Sequence, residues 1–494
     1  DPADGGVGGG VYSTATRPFS IQNCTFLFNS STNFGGGIFS DATSRLLIVN
    51  CTFISNQSGY RGGGLYIGGA QQGIHVLSNC FFAGNTCTNL NSNGGGAYLL
   101  NVTTMLVANC TFSNNFLPSN GSGGGAGLAI SAPPIISNCA FIANTAANGG
   151  GLYTGSRGPI FSRCLFVNNV GTATGGGAGF VSGAQVTLLD CVFSNNVSPD
   201  GGGLQSSGGV IATNCLFVDN STGLRGGGAF IHNHTSFITM LDRCVFLRNT
   251  VTNSNGYGGG LALYNISYPT STLSQCVFIS NTVPNTGGYG AAIMVRSYHV
   301  NIQNCLFFTN GSALGGTLYI FGSSPTPYTV VSNCTFAANY GGSRGGGLYI
   351  PSGYSPSPVV ENSIFWGNTA PAIKNDGTGT ITNRYSNIQG SGSSTNWNPA
   401  FGFNGGGNLD TDPLFANLAA GDIHLKSRGG RWTPSGWVFD AVTSPCIDAG
   451  NPASDFSMEP LPNGNRINMG AYGNTPEASR HPSGRPGGSL LMIR

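Results

Sequence analysis

The chain has 494 residues, only 7% of them charged, and a formal net charge of +2. Nucleic-acid binding usually depends on clustered lysine and arginine. The only lysines here are Lys374 and Lys426, so we expect no nucleic-acid partner. No apolar stretch approaches the roughly 18 residues that a membrane-spanning helix needs, so we also expect no membrane span.

One pattern recurs twelve times: a cysteine, a phenylalanine two residues later and an asparagine five residues later. Successive cysteines are 24 to 32 residues apart. A period of this size is typical of a solenoid, in which each repeat buries its apolar face against its neighbours. The cysteines are Cys24, Cys51, Cys80, Cys110, Cys139, Cys164, Cys191, Cys215, Cys244, Cys276, Cys305 and Cys334. The partners include Phe26, Phe53, Phe141 and Phe336, with Asn29, Asn56, Asn144 and Asn339.

The segment around each cysteine predicts a strand that follows a sharp corner. Cysteine and phenylalanine are two residues apart and therefore share one face of the strand. The residue three positions before the cysteine is also apolar, and this odd spacing requires a bend. In eight repeats the residue at the bend is asparagine, which tolerates the left-handed conformation best among non-glycine residues. These are Asn23, Asn50, Asn79, Asn109, Asn138, Asn214, Asn304 and Asn333.

A second strand in each repeat follows a glycine triplet, as in Gly35-Gly36-Gly37-Ile38-Phe39. Glycines allow a tight corner and close approach of neighbouring backbones. A third, less regular strand is expected before the asparagine corner. We therefore predict an all-β chain that forms a right-handed parallel β-helix of about 13–15 coils. Residues 1–370 are expected to form the repeats, and residues 371–494 degenerate coils with an irregular C-terminal cap.

The twelve repeat cysteines are expected to form one interior column. Neighbouring coils lie roughly 4.8 Å apart, but in-register stacking keeps the Cβ atoms farther apart than the roughly 3.8 Å of a disulfide. We therefore expect free, buried thiols that act as small hydrophobic groups. Cys87 and Cys446 lie off this column.

The repeats resemble a known family. Phe-x-x-Asn, as in Phe53 to Asn56 and Phe141 to Asn144, alternates with Gly-Gly-x-Ile/Leu. This alternation resembles the passenger repeats of chlamydial polymorphic outer-membrane proteins, and more broadly secreted bacterial β-helix proteins. The resemblance covers residues 1 to about 370 and implies an extracellular or cell-surface location.

The C-terminal part carries different motifs. Asp412-Pro413-Leu414-Phe415, Cys446-Ile447-Asp448-Ala449-Gly450 and residues 463–472 look like the C-terminal segment of bacterial surface proteins that have a choice-of-anchor module. That resemblance implies attachment at a cell surface. No sorting signal follows Tyr472 in this sequence.

The main enzymatic hypothesis for this fold is a polysaccharide lyase or a glycoside hydrolase. Hydrolysis needs two carboxylates at a defined separation, and a lyase commonly uses acidic calcium ligands. Between Cys24 and Asn339 the only acids are Asp41, Asp190, Asp200, Asp219 and Asp242. Asp190 and Asp242 lie at or next to the asparagine corner, which favours a structural role. We therefore predict no catalytic residue and no cofactor.

Two metal hypotheses and one ion pair remain. Asp410 and Asp412 could bind calcium, but an acidic turn explains them equally. His232 and His234 could chelate a metal, although no third ligand is near them in sequence. We expect Asp448 and Arg466 to pair within the cap, and we predict no metal site.

An aromatic stripe is the best candidate for binding. The second residue after the glycine triplet is aromatic in eight repeats, while the first is aliphatic. If the aliphatic residue points inward, the aromatic ring should point outward. Such a stripe could bind sugars or another subunit, or could merely shield the backbone. The rings are Tyr12, Phe39, Tyr66, Tyr98, Tyr153, Phe230, Tyr319 and Tyr349.

These observations favour a non-enzymatic extracellular β-solenoid with a structural or adhesive role. The expected partners are other copies of the chain or surface glycans. Head-to-tail stacking could use the apolar segment Leu490, Leu491, Met492 and Ile493 as an added strand. The alternative is a polysaccharide-active enzyme or a carbohydrate-binding surface protein.

Overall fold

The computed structural model describes residues 6–14, 16–41, 44–69, 73–101, 104–118, 120–130, 132–180, 185–233, 236–266, 271–296, 299–322 and 329–482. The predicted fold is confirmed. The chain is nearly all-β, with 2% helix, and forms a right-handed parallel β-solenoid of about 12 turns. Among the residues described, no helix is long and apolar enough to cross a membrane.

The chain divides into two compact units. Unit 1 comprises Asp1–Thr272, Cys276–His299 and Gly311–Leu314, and unit 2 comprises Leu273–Gln275, Val300–Asn310 and Gly315–Arg494. This division precedes the domain boundary expected at residue 370. Parallel pairing continues beyond that residue within unit 2, as far as Phe403–Asn404.

Unit 1 has three long parallel sheets. Sheet 1 follows the glycine triplets, with strands Val11–Ser13, Ile38–Ser40, Leu65–Ile67, Ala97–Leu100, Ala126–Ala129, Leu152–Thr154, Ala178–Phe180, Leu204–Ser206, Ala229–His232, Leu261–Tyr264 and Ile293–Arg296. Sheet 2 precedes the corners, with strands Phe19–Gln22, Leu46–Val49, Ile74–Ser78, Thr104–Ala108, Ile135–Ser137, Ile160–Ser162, Val186–Leu189, Val210–Thr213 and Met240–Asp242. Sheet 3 carries the phenylalanines, with strands Thr25–Leu27, Thr52–Ile54, Phe81–Ala83, Thr111–Ser113, Ala140–Ile142, Leu165–Val167, Val192–Ser194, Leu216–Val218, Val245–Leu247 and Val277–Ile279.

A fourth, shorter sheet in unit 1 was not predicted. It follows the asparagines that come five residues after the cysteines, with strands Thr145–Asn148, Val170–Thr174, Val197–Asp200, Ser221–Arg225, Thr250–Val251, Thr282–Val283 and Gly311–Ser312. Gln57–Ser58 and Thr86–Cys87 pair separately at the same repeat position.

Unit 2 has strands at the same three repeat positions, followed by antiparallel pairs. Its sheet 1 strands are Leu318–Ile320, Leu348–Ile350 and Ile373–Asn375; its sheet 2 strands are Val300–Gln303, Thr329–Ser332, Val359–Glu361, Thr382–Arg384 and Phe403–Asn404; its sheet 3 strands are Leu306–Phe308, Thr335–Ala337, Ile364–Trp366 and Asn387–Ile388. Strand Ser271–Ser274 lies at the division between the units. Two antiparallel pairs follow: Phe415–Asn417 with Asp422–Leu425, and Arg431–Thr433 with Gly436–Val438. Short 3-10 helices span Gly342–Arg344, Pro399–Phe401 and Leu418–Ala420.

The phenylalanines stack in register at the centre of each unit. Phe141 pairs with Phe112 and Phe166 on the neighbouring coils, with ring centroids 5.0 and 4.9 Å apart and nearly parallel planes. Stacked rings at this spacing add to the free energy that their burial already provides. The glycine triplets keep the coils close together, because a Cβ at Gly36 would lie 2.2 Å from the carbonyl oxygen of Gly63.

Within each unit the asparagines form a buried ladder. The side-chain amide of Asn144 donates to Oδ1 of Asn169 at 3.1 Å and to the carbonyl of Phe112 at 2.9 Å. Its own Oδ1 accepts from the backbone and side chain of Asn115 at 3.0 and 2.9 Å. Each buried amide is therefore satisfied by the coils on either side, as burial of polar groups requires.

The predicted asparagine corners are confirmed. Asn23, Asn50, Asn109 and Asn138 all have left-handed φ angles between 52° and 56°. They also bond to one another along the corner, as from Asn138 Nδ2 to Asn109 Oδ1 at 3.2 Å.

We predict that mutation of the two asparagine columns changes the stability of the protein by very different amounts. Asn144→Ala leaves buried groups unpaired on both neighbouring coils and should destabilise the protein by about 3 kcal/mol or more. The exposed corner variant Asn138→Gly keeps the left-handed conformation and should change stability by at most about 0.5 kcal/mol. Denaturant unfolding of both variants tests this, and equal effects would contradict the ladder.

The repeat cysteines form the expected column, and all fourteen cysteines are free. Cys139 Sγ donates to the carbonyls of Ser137 and Val107 at 3.3 and 3.7 Å. Burial raises the pKa of the off-column Cys87 and Cys446 to about 12. Only the thiolate is reactive, so these thiols should be inert in the folded chain.

We therefore predict that a thiol reagent modifies at most the half-buried Cys24 in the native protein, and all fourteen cysteines after unfolding. Counting modified thiols by mass before and after denaturation measures this. A mass that shows disulfides in the freshly isolated protein would contradict the free-thiol column.

Candidate functional site

Two acidic side chains of unit 1 are held by arginines on the next coil. Asp200 accepts from Nε and Nη2 of Arg225 at 3.1 and 2.8 Å. Asp219 accepts from Nε and Nη2 of Arg248, both at 2.7 Å. Such two-bond pairing fixes the carboxylate and gives both of its oxygens a hydrogen bond.

The other predicted acids of unit 1 also have local roles. Asp190 takes the corner conformation, with φ of 54°, and accepts from Asn214 at 3.3 Å. Asp242 lies 2.8 Å from Arg243. Asp41 is exposed. The four acids that follow Asp41 in unit 1 are thus engaged by an amide or a guanidinium group.

The aromatic stripe stacks, but the prediction that it is exposed is wrong for most of its rings. Tyr12, Phe39, Tyr66 and Tyr98 have successive centroid distances of 5.4, 5.1 and 6.1 Å. Only Tyr12 is well exposed, at 45%, whereas Phe39, Tyr66 and Tyr98 are 6–8% exposed. Phe230, Tyr319 and Tyr349 are buried as well, and Tyr153 is partly buried.

In several repeats the residue immediately before the glycine triplet covers this stripe. Phe34 stacks on Tyr66 at 5.2 Å. The guanidinium of Arg61 lies 5.4 Å from the ring centroid of Tyr98, a cation–π arrangement. The stripe is therefore an outer apolar layer beneath a polar and aromatic cover.

The same cover brings two arginines, a histidine and two aromatic rings together in unit 1. Arg225 lies over Phe230 and Tyr264, at 4.6 and 5.4 Å from their centroids. Arg296 lies 4.7 Å from the Tyr264 centroid and contacts its hydroxyl. His232 stacks on Phe230 at 4.3 Å. We call Arg225, Phe230, His232, Tyr264 and Arg296 the arginine–tyrosine patch.

The proposed histidine chelate is not found among the residues described. The Nε2 atom of His232 lies 2.5 Å from Nε2 of Gln205 on the preceding coil, so Gln205 already contacts this nitrogen. His234 lies outside the described residues. No group of three or more potential ligand residues occurs in the part of the chain that the structure describes.

The proposed calcium ligands are used by turns of unit 2. The carboxylate of Asp410 accepts from the backbone of Gly390 and Gly392 at 3.1 and 2.8 Å. The carboxylate of Asp412 accepts from the backbone of Leu414 at 2.8 Å. This arrangement is the acidic-turn alternative.

The expected ion pair between Asp448 and Arg466 is replaced by other contacts. Asp448 Oδ2 lies 2.5 Å from Nδ1 of His481. Arg466 donates to the carbonyls of Ala449 and Gly450. Because these contacts join segments with no repeat, their spacing in the sequence gives no hint of the pairing.

Glu459 is the most perturbed carboxyl in unit 2. It is 5% exposed, and its Oε1 accepts from the backbone of Asn468 and Asn474 at 2.8 and 2.9 Å. Its Oε2 has no hydrogen-bond partner among the described residues. Burial raises the pKa of this carboxyl to about 7, so it holds a proton into the neutral range.

A charged network lies on the first antiparallel pair of unit 2. His424 Nδ1 lies 2.7 Å from Asp422, and the imidazole stacks on Tyr472 at 3.9 Å. Arg431 bridges Asp422 and Asp440, each at 3.2 Å. These contacts between the groups are consistent with a structural role, while Nε2 of the buried His424 has no hydrogen-bond partner among the described residues.

Sequence reasoning missed the arginine–tyrosine patch, although a signal was present. In several repeats the residue before the glycine triplet is aromatic or arginine, which indicates a covering column. These residues are Phe34, Arg61, Arg225, Tyr257 and Arg344, and Tyr289 precedes the equivalent Gly290-Ala291-Ala292. The assembly strand Leu490, Leu491, Met492 and Ile493 lies outside the described residues.

Comparison with protein families identifies the fold family. The model described as the right handed beta helix region matches residues 5–174, 72–241 and 230–388. These matches span more than half of the chain, which therefore belongs to the right-handed β-helix family. A model described as Disaggregatase related matches residues 359–450. Comparison with curated proteins finds no match.

We predict that Glu459 makes unit 2 less stable as the pH rises. The folded carboxyl has a pKa of about 7 against an ordinary value of 4.5. Its contribution is therefore full below about pH 4.5 and is lost as the pH rises through 7. Glu459→Gln should remove this loss, which is at most roughly 3 kcal/mol.

Hydrogen exchange of the backbone amides at Asn468 and Asn474, measured between about pH 5 and pH 8 and corrected for intrinsic rates, provides the readout. Glu477→Gln, at a carboxyl whose side chain is 42% exposed, is the matched control and should keep the native pH dependence. A native protein whose protection does not change with pH would contradict the assignment.

Proposed function

We propose that this protein is a non-catalytic structural or adhesive β-solenoid of the cell surface or extracellular space, which acts on its own copies or on surface glycans. One observation carries the proposal. Four of the five acids of the repeat body are engaged with neighbouring side chains, chiefly between coils (Asp200 with Arg225, Asp219 with Arg248). Most of the few carboxylates of the repeat body therefore bond to side chains of the repeat body itself.

The resemblance of the repeats to those of outer-membrane passenger proteins supports the extracellular location. A protein built from stacked coils also suits a structural role, because it extends by adding repeats rather than by enlarging a core.

The arginine–tyrosine patch supports an adhesive role toward glycans. Guanidinium groups bind carboxylate and sulfate groups through paired hydrogen bonds, and tyrosine combines an apolar ring with a polar hydroxyl. Arg225 and Arg296 both lie against Tyr264, so these two chemistries meet at one place in unit 1, where Nε and Nη2 of Arg225 already donate to Asp200.

The alternative is a polysaccharide-active enzyme whose site lies in unit 2. Glu459 holds a proton at a pKa of about 7, as a general acid requires, and Asp448 contacts His481 at 2.5 Å. The name of the second matching family, Disaggregatase related, also suits an activity on assembled material. Against this alternative, Glu459 is only 5% exposed.

The deciding experiment incubates the full chain with pectate, alginate and other acidic and neutral polysaccharides. We expect no new reducing ends and no unsaturated uronates from any polymer. Retention of a polymer would favour the adhesive role, and retention of none would favour the structural role. Glu459→Gln should not alter the outcome. Turnover of any polymer that Glu459→Gln abolishes would overturn the non-catalytic proposal and favour the enzyme.

A further inference from the structure

The outward face of sheet 3 in unit 1 is an apolar surface. In each strand the central phenylalanine points inward, and the two flanking residues remain partly or well exposed. Over six consecutive coils every flanking residue except Ser194 is apolar. These strands are Ala140–Ile142, Leu165–Val167, Val192–Ser194, Leu216–Val218, Val245–Leu247 and Val277–Ile279. We call their outward side chains the apolar face.

The same repeat positions are covered in unit 2. There Ala337 and Ile364 pack against Phe415, Ile423 and Met469 from the C-terminal segment. Ala337 and Ile364 are 0% and 1% exposed, whereas Leu165 of the apolar face is 43% exposed. The chain thus uses this face for packing where a covering segment is available.

The rim of the apolar face carries opposite charges placed symmetrically. Asp190 and Arg243 lie at the corners that precede Val192–Ser194 and Val245–Leu247, one coil to either side of Leu216–Val218. Both bond to the intervening corner residue: Asn214 donates to Asp190 at 3.3 Å and accepts from Arg243 Nε at 3.1 Å. Asp190 and Arg243 are exposed, and Arg243 also lies 2.8 Å from Asp242 of its own coil.

We propose that the apolar face binds a second copy of this chain, with the two solenoids antiparallel. A two-fold axis along strand Leu216–Val218 places that strand opposite itself and Val192–Ser194 opposite Val245–Leu247 of the second copy. The sheets then pack face to face at roughly 10 Å. Asp190 of each copy faces Arg243 of the other, which gives the self-complementary contact that two-fold symmetry requires.

Contiguous exposed apolar surface bounded by polar residues is characteristic of protein interfaces. A second copy fits this face better than an acidic glycan, because the face offers no hydrogen-bonding group over its six coils except Ser194. This inference rests on the proposed structural role, and it identifies the surface through which copies associate.

The test is sedimentation of the full chain over a range of concentrations. We expect a dimer, and we expect the triple variant Val192→Thr, Leu216→Thr, Val245→Thr to raise its Kd by about tenfold or more. Threonine suits a strand but removes apolar surface. The matched control is Ile135→Thr, Ile160→Thr, Ile211→Thr on the outward face of sheet 2, which should leave the Kd unchanged.

A charge reversal tests the antiparallel arrangement separately. Asp190→Arg alone and Arg243→Asp alone should each weaken the dimer, and the double variant should restore it. Circular dichroism of each variant verifies folding.

A monomeric wild type, an unaffected triple variant, or a double reversal that fails to restore association overturns the proposal. None of these results changes the polysaccharide assay, so the non-catalytic role would stand. Polysaccharide turnover would instead overturn that role while leaving the dimer measurement intact.

Discussion

The buried asparagine ladder is the interaction on which the rest of the structure depends. An amide side chain is costly to bury unless both its donor and acceptor atoms are paired. Here the partner of Asn144 is always another coil: Asn115 and the carbonyl of Phe112 on one side, and Asn169 on the other. A coil alone could not satisfy its asparagine, so each coil requires its neighbours in strict register. That register also stacks the phenylalanines and cysteines.

Register also determines the outer faces. Because every coil repeats the same positions, one side-chain choice per coil becomes a column along the solenoid. Repeated aromatic residues form the covered stripe, and repeated valines and leucines form the apolar face of sheet 3. In the same way, Asp200 and Arg225 on neighbouring coils form an ion pair between the coils. The function we propose follows from these columns, since the repeat body offers extended surfaces and engages most of its few charges internally.

Much of this architecture could be predicted from sequence, because the repeat itself encodes it. The odd spacing before each cysteine indicated the corner at Asn138, whose φ is 52°. The exposure of the stripe was mispredicted because alternation within a strand indicates the side on which a ring lies but not what covers it. Arg61, which covers Tyr98, lies before the glycine triplet and outside that strand. In the non-repeating cap, the contact of Asp448 with His481 joins residues 33 positions apart, and no periodicity identifies it.

The most direct test of the account is the coupling between ladder asparagines. The free energies of unfolding of the double variants Asn144→Ala with Asn169→Ala, and Asn144→Ala with Asn249→Ala, are compared with those of the single variants. The account predicts a coupling energy of about 0.5–3 kcal/mol for the adjacent pair and additivity within about 0.5 kcal/mol for the distant pair. Additivity in both pairs, or equal coupling in both, would contradict a structure held together by contacts between neighbouring coils.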